Sequence, residues 1–333
     1  MTVALTGDVL VHPPLVQQAR TDGGGTTVDF GPMLAAQRDF VAAADLAVCH
    51  LETPVAPAAG PFEGYPLFSV PPQVLSGLAG VGYDACTTAS NHTLDQGTAG
   101  NERTLDALDA AGLAHSGSYR SAEEAAVPLV LDAPGARVAV LSATYDLNTG
   151  PPDRPWQVDV IETAELLADA RSAKESGAEL VLVALHDGAE YVSEPTAAQR
   201  QRARDLLADP AVDFVYGHHA HVVQPLERIN GKWVAYGLGN TIAAHETPVP
   251  QTREGLLLQV SFTLDEAGRW STTDLAWVAS FHPLDPPHRW CALGAGAVCS
   301  DSAAADAEVL ARTADAVDLL GADGDGARSL LRS

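Results

Sequence analysis

Six short stretches of this 333-residue chain end in side chains that can hold a metal ion or move a proton. "VALTGD" ends at Asp8, "DLAVCHLE" at His50 and Glu52, "YDACTTASNH" at Asn91 and His92. "ELVLVALHDG" delivers His186, "VDFVYGHHAH" delivers His218, His219 and His221, and "WVAYGLGN" closes on Asn240. Carboxylate, imidazole and amide oxygen together suit Zn, Mn, Fe or Ni better than Ca or Mg. The four cysteines (Cys49, Cys86, Cys291, Cys299) fall in no metal-ligand spacing. The candidates outnumber the needs of one ion, and two adjacent divalent ions would use them all. Such a pair clamps the attacking and leaving oxygens of a phosphoryl displacement and lowers the pKa of a bound water. A neighbouring imidazole, His92, could protonate the leaving oxygen.

The elements that must position these residues follow from periodicity. Apolar runs predict strands at 3–7, 45–51, 83–89, 137–144, 179–185, 212–216, 233–238 and 255–264. Helical patterns lie between them at 32–44, 71–80, 98–112, 160–176 and 195–208, the last opening with Pro195 and ending at Asp209-Pro210. Strands alternating with helices predict an α/β fold with a largely parallel sheet. In such folds functional groups sit at the carboxyl ends of the strands, where these residues fall. Residues 1–264 read as one domain. Residues 265–333 read as an appendage: a weakly periodic 265–300, a terminal helix at 303–320 and a loose tail.

The chain carries 19 basic and 43 acidic residues, a formal charge of −24. That argues against nucleic acid or an anionic membrane surface as a partner, since both are held through Lys and Arg. No apolar run reaches the ~18 residues of a membrane span. Met1 leads directly into a strand, so no leader is visible. Two locations stay open, the cytoplasm or an extracytoplasmic mature form. The cysteines bear on this: disulfides persist outside the cytoplasm. Of three possible pairings, Cys49–Cys86 with Cys291–Cys299 is favoured, because Cys49 and Cys86 fall on strands expected to be neighbours. Buried free thiols are the alternative.

Taken together, "GDVLVH", "HLETPVAP", "ASNHTLDQGTAGNERTLDALDAAGLAHSGS", "ALHDGAEY", "VYGHHAHVVQP" and "YGLGNTI" resemble the CapA (PGA_cap) family of poly-γ-glutamate capsule synthesis proteins. That family belongs to the calcineurin-like metallophosphoesterase superfamily. The resemblance runs from about residue 3 to 242. It implies a four-layer α/β/β/α sandwich with a dinuclear site. Asp8 then matches the first metal carboxylate and Glu52 the bridging one. Asn91 and His92 match the ligand and the general acid, His186 the isolated histidine, and His218 with His221 the terminal pair.

The chain departs from the family pattern in four places. His12 stands four residues after Asp8 rather than two, as a metal ligand or a loop residue. His50 replaces the usual Asn before Leu-Glu, as a ligand or a support. The extra residue in "GHHAH" leaves His218 or His219 as first of the pair, with His218 favoured. In "HDGAEY" Asp187 takes an aromatic slot; it, Glu190, Tyr191 and Asn240 are candidates for the pocket, or for turn and helix-start positions. His115, His245, His282 and His288 read as surface or loop residues.

The function expected is a metal-dependent phosphoesterase-like hydrolase of cell-surface polymer biology, in which a metal-activated hydroxide attacks a phosphate ester. Its substrate is a small molecule or polymer, and its partners include membrane-associated capsule machinery. Two alternatives are a non-catalytic protein that binds poly-γ-glutamate and a metal-dependent γ-glutamyl amide hydrolase.

Overall fold

In a computed structural model describing residues 1–331, fifteen strands form two sheets. In chain order they are β1 (Thr2–Val9), β2 (Leu46–Leu51), β3 (Ala85–Thr87), β4 (Ala114–Ser116), β5 (Val130–Ala133), β6 (Ala136–Thr144), β7 (Leu180–His186) and β8 (Phe214–His218). They continue with β9 (Leu226–Ile229), β10 (Lys232–Ala235), β11 (Asn240–Ile242), β12 (Glu254–Leu264), β13 (Trp270–Phe281), β14 (Cys291–Ala292) and β15 (Ala327–Ser329). The first sheet has the order β14-β13-β12-β1-β2-β3-β4, with β11 also paired to β1 and β15 to β13. The second has the order β5-β6-β7-β8-β10-β9.

Side-chain alternation along the strands explains the layers. Val3 and Leu5 of β1 and Val48 of β2 face the second sheet, where they meet Val138, Val140, Leu182 and Phe214. Ala4 of β1 and Ala47 and Cys49 of β2 face the other way, toward the helices at Pro13–Asp22, Gln73–Val81 and Gly97–Ala111. On the far side, Val181, Val183 and Val215 pack against Leu166 and Ala170 of the helix Thr163–Glu175 and Leu206 and Leu207 of the helix Ala197–Ala208. The result is the expected α/β/β/α sandwich. Its central strands are apolar throughout because both faces are buried.

Helix ends follow local chemistry. Thr196 and Gln199 form a reciprocal capping box at the start of Ala197–Ala208. Gly82 (φ 116°) and Gly112 (φ 76°) close the helices before them. The helix expected over 32–44 is instead three short turns, Gly31–Leu34, Ala35–Gln37 and Arg38–Val41. The irregular path accompanies a buried Gln37, whose side chain accepts a hydrogen bond from the Tyr83 hydroxyl at 2.7 Å. Pro13 and Pro14, which suggest a loop, occupy the first turn of a ten-residue helix.

The weakly periodic stretch 265–300 contains the twelve-residue β13, paired with β12 from Glu254↔Phe281 to Leu264↔Trp270. Its second half is buried on both faces, so it shows no two-residue alternation. The tail is not loose where β15 pairs in parallel with Leu275–Trp277 of β13. Both favoured disulfides are present. Cys49–Cys86 links directly paired positions of β2 and β3, and Cys291–Cys299 closes an eight-residue loop. Among the described residues no helix is long and apolar enough to cross a membrane.

The register assembles one edge. Asp8 pairs with His50 and Asn240 in the first sheet, and His186 pairs with His218 in the second. All four strands β1, β2, β7 and β8 run toward this edge. Gly217 permits the close packing there: a Cβ on it would lie 2.0 Å from the Tyr236 carbonyl oxygen.

Candidate metal centre

Asp8, at the end of β1, is completely buried. Its Oδ1 lies 2.7 Å from His218 Nδ1, and its Oδ2 accepts the His219 N–H at 3.2 Å and lies 3.2 Å from His221 Nδ1. Burial alone would push its pKa up. The hydrogen bonds and charges of His218 and His221 outweigh burial and hold it well below the usual carboxylate range.

Glu52, just past β2, is equally buried, yet neither carboxylate oxygen has a hydrogen-bond partner. Its Oε1 lies 3.6 Å from His221 Nε2 and 3.8 Å from His186 Nε2. Burial raises its pKa to about 7 against the opposing pull of His221. His221 moves the other way: burial disfavours its charge, but Glu52 and the bond to Asp8 raise it to about 9.

The amide of Asn91 faces the same point, its Oδ1 2.8 Å from His186 Nε2. The other nitrogen of His186 is 3.0 Å from His50 Nε2, and His50 Nδ1 is 2.9 Å from Thr87 Oγ1. His50 also stacks on His218 with ring centroids 4.0 Å apart and planes inclined by 14°. His50 and His218 thus stand behind His186 and Asp8. Burial followed by like-charged neighbours pushes His50 and His186 well below the ordinary histidine pKa, and burial takes His219 to about 4. Neutral imidazoles keep a lone pair for a metal.

His219 (φ 82°) and His221 (φ 55°) both adopt the left-handed backbone. Non-glycine residues do so rarely, and such strain persists where the surroundings fix it. Here the His219 N–H is held by Asp8, and His221 Nδ1 by Asn240 Oδ1 at 3.0 Å. Asn240 is itself fixed by donating its amide to the Thr252 carbonyl at 2.9 Å. The twist turns His219 toward His186 (centroids 4.8 Å apart) and leaves its buried Nδ1 without a partner.

His12 points back toward the site, accepting the Ala244 N–H at Nδ1 (3.1 Å) with its ring 4.9 Å from that of His245. His245 is 4.6 Å from His221 by ring centroids, so it joins this edge. His282 and His288, read as surface or loop residues, lie in loops but are buried, and His115 is half-buried on β4. Asp187 turns away to pair with Arg202 of the helix Ala197–Ala208. Glu190 is exposed, with a carboxylate oxygen within 4.8 Å of ring nitrogens of both His219 and His221.

His92 has a different environment. Its Nδ1 is 2.7 Å from Asp95 Oδ2, which also accepts the Phe68 N–H at 2.7 Å. Phe68 meets the His92 ring edge-on at 4.8 Å. Asn148 donates its N–H to the Asn91 carbonyl (2.9 Å) and accepts the Asn91 amide at 3.3 Å, turning Asn91 Oδ1 toward His186. Sequence reading passed over Asp95 and Asn148. Asp95 had a signal in its three-residue spacing from His92, whereas Asn148 had none.

These residues fit divalent cations. A buried carboxylate with no hydrogen-bond donor is costly unless a cation compensates it. The unpartnered Glu52 oxygens are surrounded by imidazoles and by Asp8, and Asp8, Glu52 and His221 bring ligand atoms within 4.8 Å of one another.

The two-sheet sandwich is shared with solved structures. A 5'-nucleotidase precursor from Thermus thermophilus shares the fold, with a TM-score of 0.51 and 15% identity over 95% of this chain and 59% of that one. The calcineurin-like phosphoesterase YfkN of Bacillus subtilis gives a TM-score of 0.47 at 12% identity, covering 95% of this chain and 96% of that one. The chain belongs to the bacterial capsule synthesis protein PGA_cap family, which it matches over residues 2–245. The PGA biosynthesis protein CapA of Bacillus subtilis is 28% identical over 200 residues, 60% of this chain and 52% of that protein. The chain thus spans about half the length of this curated relative.

Proposed function

We propose that this protein is a divalent-metal-dependent phosphoesterase acting outside the cytoplasm in capsule or cell-surface polymer biology. The observation that carries the proposal is Glu52, buried without a hydrogen-bond donor between two sets of ligand atoms. Asp8, Glu52 and His221 would hold one ion; Glu52, Asn91, His186 and His219 would hold the second. His219 replaces His218 in this assignment, because His218 is engaged by Asp8 and His50 while His219 faces His186. When bound, such ions supply Lewis-acid charge to a phosphoryl oxygen and lower the pKa of a water.

The chain's own residues do the rest. His50 and Asn148 fix the rotamers of His186 and Asn91 from behind. Asp95 lies 2.7 Å from His92 Nδ1 and fixes the ring, and the Asn148 amide stands 3.5 Å from Nε2, the atom that would give a proton to the leaving oxygen. Phe68 covers one edge of that ring and limits water there. Two disulfides and the capsule relative support an extracytoplasmic location.

The test is hydrolysis of a phosphoester panel by manganese- or zinc-loaded protein. Asn91→Ala and His221→Ala should abolish turnover. Full activity in either variant would refute the assignment. Binding of oligo-γ-glutamate with no turnover of any phosphoester would favour a carrier role instead.

A further inference from the structure

The mouth of the centre carries a group that the proposed chemistry does not use. Glu190 is exposed, yet its carboxylate stands beside His219 and His221. Among the described residues no Lys or Arg forms an ion pair with it, and Arg202, on the helix Ala197–Ala208, is held by Asp187. A carboxylate at this point weakens the pull of the centre on an anion and adds a pull on a cation. It would lower affinity for any substrate whose alcohol is neutral or anionic.

Two tyrosines stand beside the same two histidines. The Tyr145 ring lies 4.6 Å from that of His219, and its side chain is 41% exposed. The Tyr191 ring lies 6.1 Å from that of His221, and burial, followed by the nearby charge of Glu190, raises the pKa of its hydroxyl. Both are anchored to the ligand-bearing segments. The Tyr145 N–H donates to the His186 carbonyl at 3.0 Å, and the Tyr191 N–H to the Ala220 carbonyl at 2.7 Å. Tyr191 sits at φ 65°, a conformation that a bulky side chain adopts only when held there. A carboxylate and two fixed aromatic rings gathered at the same pair of histidines match an ammonium ion, which is attracted by ring faces and negative charge alike.

We propose that Glu190, Tyr145 and Tyr191 form an ammonium subsite, so that the substrate is a phosphate ester whose alcohol carries an amino or quaternary ammonium group. This rests on the phosphoesterase reading for its reaction but not for its binding. The subsite opposes a polycarboxylate chain as the group bound next to the metals. It also supplies what the net charge of −24 makes scarce, a reason for an ester to orient at this edge.

The experiment compares choline phosphate with 3,3-dimethylbutyl phosphate, its uncharged isostere, each as monoester and as methyl diester. The two linkages distinguish a free metabolite from a head-group or polymer linkage. Affinity and kcat/KM are measured on manganese-loaded protein. The ammonium ester should be favoured at least about 10-fold in one of the pairs. The ratio should fall toward one in Glu190→Gln and decline in Tyr145→Leu. A ratio near one in both pairs, or a ratio that survives Glu190→Gln, overturns the subsite. Loss of a metal equivalent in Glu190→Gln also overturns it, because Glu190 would then be a ligand. Preferential binding without turnover keeps the subsite and removes the phosphoesterase reading.

Discussion

Replacing Asp95 with Asn isolates the proton-transfer half of the proposed chemistry. Asp95 Oδ2 takes both the His92 Nδ1–H and the Phe68 N–H, each at 2.7 Å. An asparagine oxygen placed there can still take both bonds, so what is lost is the negative charge. A charged acceptor makes a hydrogen bond stronger than a neutral one by about 1–1.5 kcal/mol, which is roughly 5- to 12-fold in rate. The loss should appear on esters whose alcohol must be protonated as it leaves. It should be small for p-nitrophenyl phosphate, whose phenolate leaves without a proton. The assay is kcat on an alkyl phosphate and on p-nitrophenyl phosphate, with metal content measured in both proteins. Equal losses on the two esters, at unchanged metal content, would refute the role of His92 as general acid.

Other outcomes follow from the packing. Gly217→Ala forces a Cβ to within 2.0 Å of the Tyr236 carbonyl, so it should displace the 217–221 loop, lower stability and weaken metal binding together; normal binding by titration would contradict this. Replacing Cys49 and Cys86 by Ala opens a 37-residue loop and should lower stability by ~4 kcal/mol; the Cys291/Cys299 pair, eight residues apart, should lower it by ~2.5 kcal/mol, as read from urea unfolding. A larger loss from the short loop would show that strain or packing, not chain entropy, dominates. His282 is buried, and that burial, with Arg253 nearby, lowers its pKa from 6.5 to about 3. Between those values the unfolded chain binds a proton that the folded chain does not. Stability contributed by this group is therefore complete above pH 6.5 and is lost on acidification toward pH 3, at up to about 1.4 kcal/mol per pH unit. His282→Gln should flatten that slope in urea titrations at pH 7, 5 and 4; an unchanged slope would exclude His282 as a source.

The site was more legible than the path of the chain. Asp8, Glu52, Asn91 and His186 announce themselves because each polar group closes an apolar strand, and parallel strands deliver their ends to one edge. What pattern could not decide was orientation within "GHHAH". Two left-handed residues set which ring faces inward, and two adjacent histidines carry no sequence mark of that twist. His245 lies in a loop, as read, but its place beside the site depends on a fold-back in which the Ala244 N–H donates to His12 Nδ1, a contact 232 residues distant in sequence. The strand β13 was missed for the opposite reason. Burial on both faces of its second half erased the alternation on which strand reading depends.

Elemental analysis of protein purified without chelator, alongside Glu52→Gln, tests the dinuclear assignment most directly. The wild-type chain should carry about two divalent transition ions, and Glu52→Gln should lose at least one of them. A folded chain that takes up no Mn, Fe, Ni or Zn, or a Glu52→Gln variant with undiminished metal content, would contradict it.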